Sequence, residues 1–294
     1  MRWIGKYQVR GLLGRGGMAR VYKVAQPTIG KIAALKRLEP HPSLEALLGK
    51  SRLRDLFIRE ARTMSGLRHP HLVSVLDFGD DPGGLYYVME FHAVNLGDII
   101  GETYRTEEPS RILRLDRAVD YGLQVLDGLA RLHFSQVVHR DVKPFNLLVE
   151  DTDRICIADF GLSKLRGERF AAPVNLKVGS PYYAAPEQET DPDDVGPEAD
   201  LYSVGVMLRR MLTGSLGGDA PPSRFNPDLN PDWDAFFSKA TARRPVDRFA
   251  SASQMASALE QIYADWRTRQ ETICNLPEID RPAAVRPRRR AACR

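Results

Sequence analysis

No run of about 18 apolar residues occurs in the chain, so nothing in it reads as a membrane span. The first residues, "MRWIGKYQVRGLLG", lack the apolar core of a secretory leader and enter a strand-like alternation almost at once. Cysteine is scarce: Cys156, Cys274 and Cys293. Three scattered thiols make neither a disulfide framework nor, by their spacing, a metal-ligand cluster, and a reducing, cytoplasmic setting is the expectation. There is no G-x-x-x-x-G-K-[ST] phosphate loop and no internal repeat. The body of the chain also lacks net charge. The formal excess is +4, but Leu276–Arg294 alone holds six arginines against Glu278 and Asp280. Removing that tail from the 42 basic and 38 acidic residues leaves 36 of each. A neutral body with a basic tail argues only weakly for a nucleic-acid partner, because phosphate binding needs a basic face on the fold. The Pro- and Arg-rich tail reads as a solvated disordered end, with docking to nucleic acid, acidic partners or a membrane surface as the rival uses. One further absence is local. From Lys164 to Gly179 the chain carries no Ser, Thr or Tyr.

What is present begins with strands. The 294 residues suffice for one large domain or two lobes with their own cores. The first 92 residues read as strands around one helix: "YQVRGLLG", "RVYKVAQ", "KIAALKRL" and "LYYVMEF" alternate, and "SRLRDLFIREARTMSGL" is helical. On that helix Leu53, Phe57, Glu60 and Met64 share one stripe, and Gly66 and Pro70 end it. From about Ala93 helices dominate. "RAVDYGLQVLDGLARLH" and "DLYSVGVMLRRMLTG" have helical spacing, the second framed by an Asp at its start and Gly214 at its end as caps. "NLLVE" and "RICIAD" read as a small hairpin between them, and "ETDPDDVGPEAD" as an acidic connection.

Several residues sit where packing alone would not put them. "LGRGGMARVY" places Gly14, Gly16 and Gly17 between two strands, where backbone N–H groups can approach a phosphate. A tight turn would also explain them. Lys36 shares its alternation with the apolar Ile32 and Ala34, and Glu60 lies on an apolar helix stripe; an ion pair between them would resolve both anomalies. "HRDVKPFNLLV" displays Asp141, Lys143 and Asn146 within six residues beside His139 and Arg140, and Pro144 precludes a regular helix there. A polar turn would account for any one of them. Together they suit a base that positions a nucleophile, a phosphate contact and a metal ligand. If the two short runs form a hairpin, Asn146 and Asp159 fall at the same end and can meet on one hard cation such as Mg2+.

At this point the chain resembles the eukaryotic-type protein kinases, and their bacterial Ser/Thr members in particular. The motifs stand in the family's order: Gly loop, "AALK", helix Glu, "HRDVKPFN", "DFG", "AAPE", over about Tyr7 to Tyr263. The resemblance implies an α+β, bilobal fold: a small antiparallel sheet lobe with one main helix over 1–92, a larger helical lobe over 93–275, and the basic tail over 276–294. It implies transfer of the ATP γ-phosphate to Ser/Thr hydroxyls of protein substrates, the chain itself among them, with Mg2+ and with Mn2+ as a stand-in. The nucleotide would be held by Leu13, Gly14, Arg15, Gly16, Gly17, Met18, Ala19 and Val21, by Ala34 and Lys36, by Met89, Glu90 and His92 of the hinge, and by Leu148. Glu60 would orient Lys36, Asn146 and Asp159 would hold metal, Asp141 would orient the acceptor hydroxyl and take its proton, and Lys143 would contact the γ-phosphate. Met64, Val75, His139 and Phe160 match the stack that aligns the lobes, Glu187 should pair with Arg248, and Asp200 should bind the catalytic-loop backbone.

Two departures stand out: Ala19 replaces a third glycine, and Ser180 stands where the family usually has Thr, with its hydroxyl expected near Asp141 and Lys143. Cys156 reads as a small strand residue, with a reactive pocket thiol as the alternative. His41, His69 and His71 read as turn or surface residues. The stretch without hydroxyls falls on the activation loop, so phosphorylation in its middle is not expected to order it; Glu168 facing Arg140, packing of Phe170, Val174 and Leu176, or a partner would have to serve. The rival reading is a pseudokinase scaffold that binds ATP and partners without transfer. It predicts loss of Lys36, Asp141, Asn146 or Asp159, and all four are present.

Overall fold

The alternating segments pair as expected. In the computed structural model, which describes residues 2–103, 108–160, 164–165, 182–192, 194–218 and 220–275, six strands form one antiparallel sheet. They are β1 (Trp3–Ile4), β2 (Tyr7–Arg15), β3 (Ala19–Ala25), β4 (Ile32–Leu38), β5 (Val75–Asp81) and β6 (Gly84–Met89). Their spatial order is β1-β2-β3-β4-β6-β5. One face buries Tyr22, Val24, Ala33, Leu35, Tyr86 and Val88 in a small core. The other face, with Ala34, Leu85, Tyr87 and Met89, joins the main core. Because β4 is covered on both sides, Lys36 is buried although it is a lysine.

Two helices follow β4, not one. The short α1 (Pro42–Leu48) buries none of its residues, which is why no apolar stripe announces it. The longer α2 (Lys50–Gly66) buries Leu53, Phe57, Glu60, Ala61 and Met64. β5 also gave no usable alternation, because its outward face carries the half-exposed Leu76 and Phe78.

The remaining chain is mainly helical: α3 (Leu96–Ile100), α4 (Leu115–Phe134), α5 (Glu187–Thr190), α6 (Glu198–Thr213), α7 (Pro231–Ala240) and α8 (Ala252–Asn275). Three short strands, β7 (Val94–Asn95), β9 (Leu147–Val149) and β10 (Ile155–Ile157), form a sheet in the order β10-β9-β7. β8 (Val137–Val138) pairs with β11 (Lys164–Leu165) through its backbone. The β9–β10 hairpin is the one expected from "NLLVE" and "RICIAD". The architecture is thus the α+β, bilobal arrangement: a small antiparallel sheet with α2 against it, and a larger helical part.

Two local findings bear on the site. The helix assigned to begin at Asp200 begins at Glu198, after Pro197. Asp200 is therefore no cap: it lies inside the first turn, and its carboxylate is used elsewhere. The far end is as expected, with Gly214 capping in the left-handed region at φ 72°. The two parts are joined behind the cleft by backbone: Val73 N donates to Ile157 O at 3.0 Å and Ile157 N to His71 O at 2.9 Å. α4 lies against this junction through Gly128. A Cβ there would stand 2.9 Å from Ile157 Cδ1 and 3.0 Å from the His71 carbonyl oxygen. Gly128→Val is expected to lower stability by about 1–3 kcal/mol through this overpacking. Thermal unfolding should show a loss of several degrees, at roughly 2–4 °C per kcal/mol for a chain of this size; an unchanged Tm would mean that the junction yields freely.

Candidate active site

Three elements meet on one ammonium. Lys36 on β4 contacts Glu60 Oε1 of α2 at 2.7 Å and Asp159 Oδ1, just beyond β10, at 2.8 Å. Burial lowers the affinity of Lys36 for its proton, but the carboxylates of Asp159 and Glu60 outweigh this and hold it well above the ordinary lysine value. The same ammonium holds the Asp159 carboxyl down at about 2, against the opposing effect of burial. Asp159 adopts φ 63°, in the left-handed region. Its side chain keeps 50% exposure, so it faces open space while Lys36 is enclosed.

Tyr87 completes the cluster, and sequence reasoning passed it over. The β4–β6 register sets Tyr87 opposite Lys36. Its hydroxyl donates to Glu60 Oε1 at 3.0 Å, and its ring lies 5.2 Å from that of Phe57 on α2. Burial, with the Glu60 charge, pushes the Tyr87 phenol well up, so it remains a donor. The only available signal was a phenol on the inward alternation of "LYYVMEF", in register with a buried lysine.

The segment between β8 and β9 is held just as firmly. Asp200 Oδ2 accepts from His139 N at 2.8 Å, and Oδ1 from Arg140 N at 2.7 Å. His133 Nε2 meets Asp200 Oδ2 at 2.8 Å. Burial opposes ionisation of Asp200, but these donors win and leave its pKa below the usual carboxylate range. Arg140 takes φ 69° within this grip. His139 Nε2 lies 3.1 Å from Ala158 O and its Nδ1 3.3 Å from Asp141 N. That pattern assigns the proton to Nε2. Next come the polar residues. Lys143 Nζ donates to Asp141 Oδ2 at 2.7 Å, and Asn146 Nδ2 donates to Asp141 O at 2.8 Å and Oδ2 at 2.9 Å. Ala158 N returns to Asn146 O at 2.9 Å, so the hairpin sets Asn146 beside the residue preceding Asp159.

The remaining sequence-designated residues fall on the sheets, their turns and the segment after β6. Leu13, Gly14 and Arg15 end β2, Gly16, Gly17 and Met18 make the turn, and Ala19 and Val21 begin β3. Gly16 N closes the turn on Ala19 O at 2.8 Å. Nothing lies within 4 Å of where a Cβ of Gly14 would be, and its φ is not in the left-handed region. The fold itself makes no demand for glycine there. Ala34 is opposite Met89 across β4–β6, and Val21 opposite Lys36 across β3–β4. Val21 and Leu148 both lie partly buried against the main core. Glu90 N donates to Ser74 O at 3.3 Å, and His92 tucks its ring inward. Met64, His139 and Phe160 are buried, Val75 packs against the same core, and the His139 and Phe160 rings stand 5.3 Å apart.

Beyond the cleft, Arg248 grips Glu187 bidentately, at 2.6 and 2.8 Å, as expected. A second anchor was not foreseen. Tyr183 donates to Glu102 Oε2 at 2.6 Å, and Arg210 Nε of α6 lies 3.6 Å from the same oxygen. Ser203 Oγ adds a bond to Tyr183 O at 2.8 Å. No one of these residues is anomalous in its own stretch of sequence. Cys156 is buried, and desolvation pushes its thiol up to about 11, which removes the reactive-thiol reading. Gly161, Ser163, Glu168, Phe170, Val174, Leu176 and Ser180 lie outside the described residues, as does the tail 276–294.

Two outcomes follow from these contacts. Tyr87→Phe keeps the ring and removes one donor to a buried carboxylate, an interaction worth about 1.5 kcal/mol. Thermal unfolding should show Tm lowered by roughly 3–6 °C; an unchanged Tm would show that Tyr87 only packs. Asp200 has a depressed folded pKa, so its contribution is complete above the unfolded carboxylate value of about 3.9 and is lost as pH falls through the lower folded value. Asp200→Asn should cost about 3 kcal/mol at neutral pH. Unfolding measured down to about pH 3 should show that gap to wild type narrowing. A gap independent of pH would contradict the assignment.

Comparison with known proteins agrees with this geometry. Residues 7–223 match the family described as "Protein kinase domain". The chain is 32% identical over 284 residues to serine/threonine-protein kinase pkn3 of Myxococcus xanthus, covering 87% of this chain and 50% of that protein. It is 31% identical to the probable serine/threonine-protein kinase pknA2 of Bifidobacterium longum, covering 92% of this chain and 37% of the relative. It is 29% identical to serine/threonine-protein kinase PrkC of Bacillus subtilis, covering 88% and 41%. The chain thus spans half or less of the length of these relatives. With the family matched over most of its length, and with the Lys36–Glu60–Asp159 cluster beside the Asp141 loop, this chain belongs to the protein kinase domain family.

Proposed function

We propose that the chain is a serine/threonine protein kinase that transfers the γ-phosphate of ATP to hydroxyls of protein substrates, including its own. The observation that carries this reading is the contact of Lys36 with Glu60 and Asp159, next to the bonded set Asp141, Lys143 and Asn146. Relatives of this family use ATP and a divalent metal; Mg2+ is the ion we propose here, with Mn2+ as a substitute. The residues present fit such a load. Asp159 has one oxygen on Lys36 and half its surface open. Asn146 commits its amide nitrogen to Asp141, which leaves its oxygen as the atom to offer a hard cation. Gly14 leaves room where a side chain would intrude.

In this reading Lys36, kept charged and aimed by Glu60, binds the nucleotide's phosphates. The Gly14–Val21 loop covers them, while Ala34, Val21 and Leu148 enclose the base beside Met89, Glu90 and His92. Asn146 and Asp159 would hold Mg2+, which would supply positive charge against that of the phosphates. Asp141 orients the acceptor hydroxyl and takes its proton, and the ammonium of Lys143, beside Asp141, offsets charge on the transferred group. Lysine at that position supports the Ser/Thr class. Among the described residues no helix is long and apolar enough to cross a membrane.

The test is transfer of labelled γ-phosphate to a generic basic protein substrate and to the chain itself. Wild type should be active with Mg2+, and Asp159→Ala and Asp141→Asn should each lose at least about 100-fold, since each removes a group acting on the reacting phosphate. Phosphatase-treated wild type should keep its rate, because Lys164–Gly179 offers no hydroxyl to modify. A wild type that binds ATP and never transfers would establish the scaffold reading instead.

A further inference from the structure

His92, Glu150 and Cys156 are spread over 65 positions, yet the sheet order β10-β9-β7 draws them together. One donor atom from each lies within 4.8 Å of the other two. The His92 ring is only 5% exposed, and its Nε2 is buried without a hydrogen-bond partner. Its Nδ1 stands 3.8 Å from Glu150 Oε1. A buried imidazole nitrogen with no partner is costly, and a thiol and a carboxylate are the donors set near this ring.

We infer that His92, Glu150 and Cys156 form a binding site for a thiophilic divalent cation of the zinc class, between the β6–β7 connection and the β9–β10 hairpin. Nitrogen, sulfur and oxygen donors in this ratio suit Zn2+ or its probe Co2+ and not Mg2+ or Ca2+, which take oxygen ligands. Three protein ligands leave a fourth position for water. The other groups around the site support it. Arg154 pairs with Glu150 at 2.8 Å and through a second, shorter contact, which keeps the carboxylate ionised and fixes its direction, as outer partners of metal ligands do. Burial disfavours the charged form of His92 and so favours the neutral ring that can ligate. Cys156 donates weakly to Pro70 O at 3.4 Å. On binding, its S–H bond breaks, the proton leaves to solvent, and the sulfur lone pair forms the metal bond. Binding therefore tightens as pH rises. Glu150, a quarter exposed, gives the way in.

The location gives the site a consequence that rests on the kinase reading: a cation here clamps the segment holding Glu90 and His92 to the hairpin whose end carries Asn146 and Asp159, and so slows nucleotide exchange.

Cobalt(II) is the probe, titrated at pH 8 into metal-free protein in which Cys274 and Cys293 are replaced by serine. A one-to-one complex with a thiolate-to-cobalt charge-transfer band is expected, displaced by Zn2+ and insensitive to Mg2+. Cys156→Ser in that background should abolish the band and weaken zinc binding at least about tenfold. It should leave Mg2+-supported phosphate transfer measured without zinc unchanged, because the thiol touches no group of the cleft chemistry. Glu150→Gln keeps the thiol and should weaken binding while the band survives at higher cobalt, which covers the case in which Cys156→Ser fails to fold. Cobalt bound without a charge-transfer band, or zinc affinity equal in wild type and both variants, overturns the site. A band without an effect of zinc on transfer leaves the site standing and removes only the clamp, and a chain that binds cobalt but never transfers phosphate separates this inference from the kinase reading.

Discussion

The structure depends on the burial of one ammonium between two carboxylates. Lys36, Glu60 and Asp159 come from β4, from α2 and from the end of β10, so the cluster exists only when sheet, helix and hairpin are assembled together. Each charge alone would be expensive to bury, and withdrawal of any one leaves the others uncompensated. That makes the cluster a conformational constraint more than a source of stability. A shift of α2 away from the sheet must break the Glu60 contacts to both Lys36 and Tyr87, while Phe57 and Tyr87 hold the same helix by packing.

A second rule governs the rest of the cleft. The backbone there is irregular, and buried ionised groups reached from regular helices pin it. Arg140 and Asp159 both sit in the left-handed region without being glycine, which surrounding contacts must enforce. Asp200, fixed in the first turn of α6, supplies two carboxylate oxygens to consecutive N–H groups and so dictates the turn at Arg140. Lys36 holds Asp159 differently, by a bond from its ammonium to the side-chain Oδ1. Glu187 with Arg248, and Glu102 with Tyr183 and Arg210, extend the pattern to the chain on either side of Ala185. α6 contributes to two of these anchors, which explains why its buried face carries Asp200 and Arg210 among apolar residues.

Much of this was legible where a residue violated its local pattern. Lys36 and Glu60 were each wrong for their own apolar alternation, and the ion pair was the shared answer. The β9–β10 hairpin and the Gly214 cap followed from short-range chemistry. Asp200 shows the limit of that logic: an acidic residue near a helix start reads as a cap, and only the resemblance, not the local rule, assigned its carboxylate to the catalytic loop. α1 was missed because it buries nothing, and β5 because its exposed face carries apolar groups. Tyr87, Glu102 and Tyr183 were missed because a tyrosine or glutamate in a mixed segment breaks no pattern. Their partners are 27 and 81 residues away, and only the fold selects them. The same holds for His92, Glu150 and Cys156, whose spacing matches no ligand motif.

Arg140 bears on how such a site is switched. Its guanidinium donates to Pro192 O at 2.9 Å and to Val195 O at 3.3 Å, so it already ties the catalytic loop to the connection leading into α6. An arginine that serves a phosphate must be able to turn toward it; this one would have to release two carbonyls, one of them with the nitrogen fully enclosed. The stretch from Lys164 to Gly179 offers no hydroxyl that could carry the phosphate. These two facts come from different levels, one from geometry and one from composition, and they point the same way. Lys36, Glu60 and Tyr87 engage one another through the sheet and α2, and none of those contacts uses a group from that stretch.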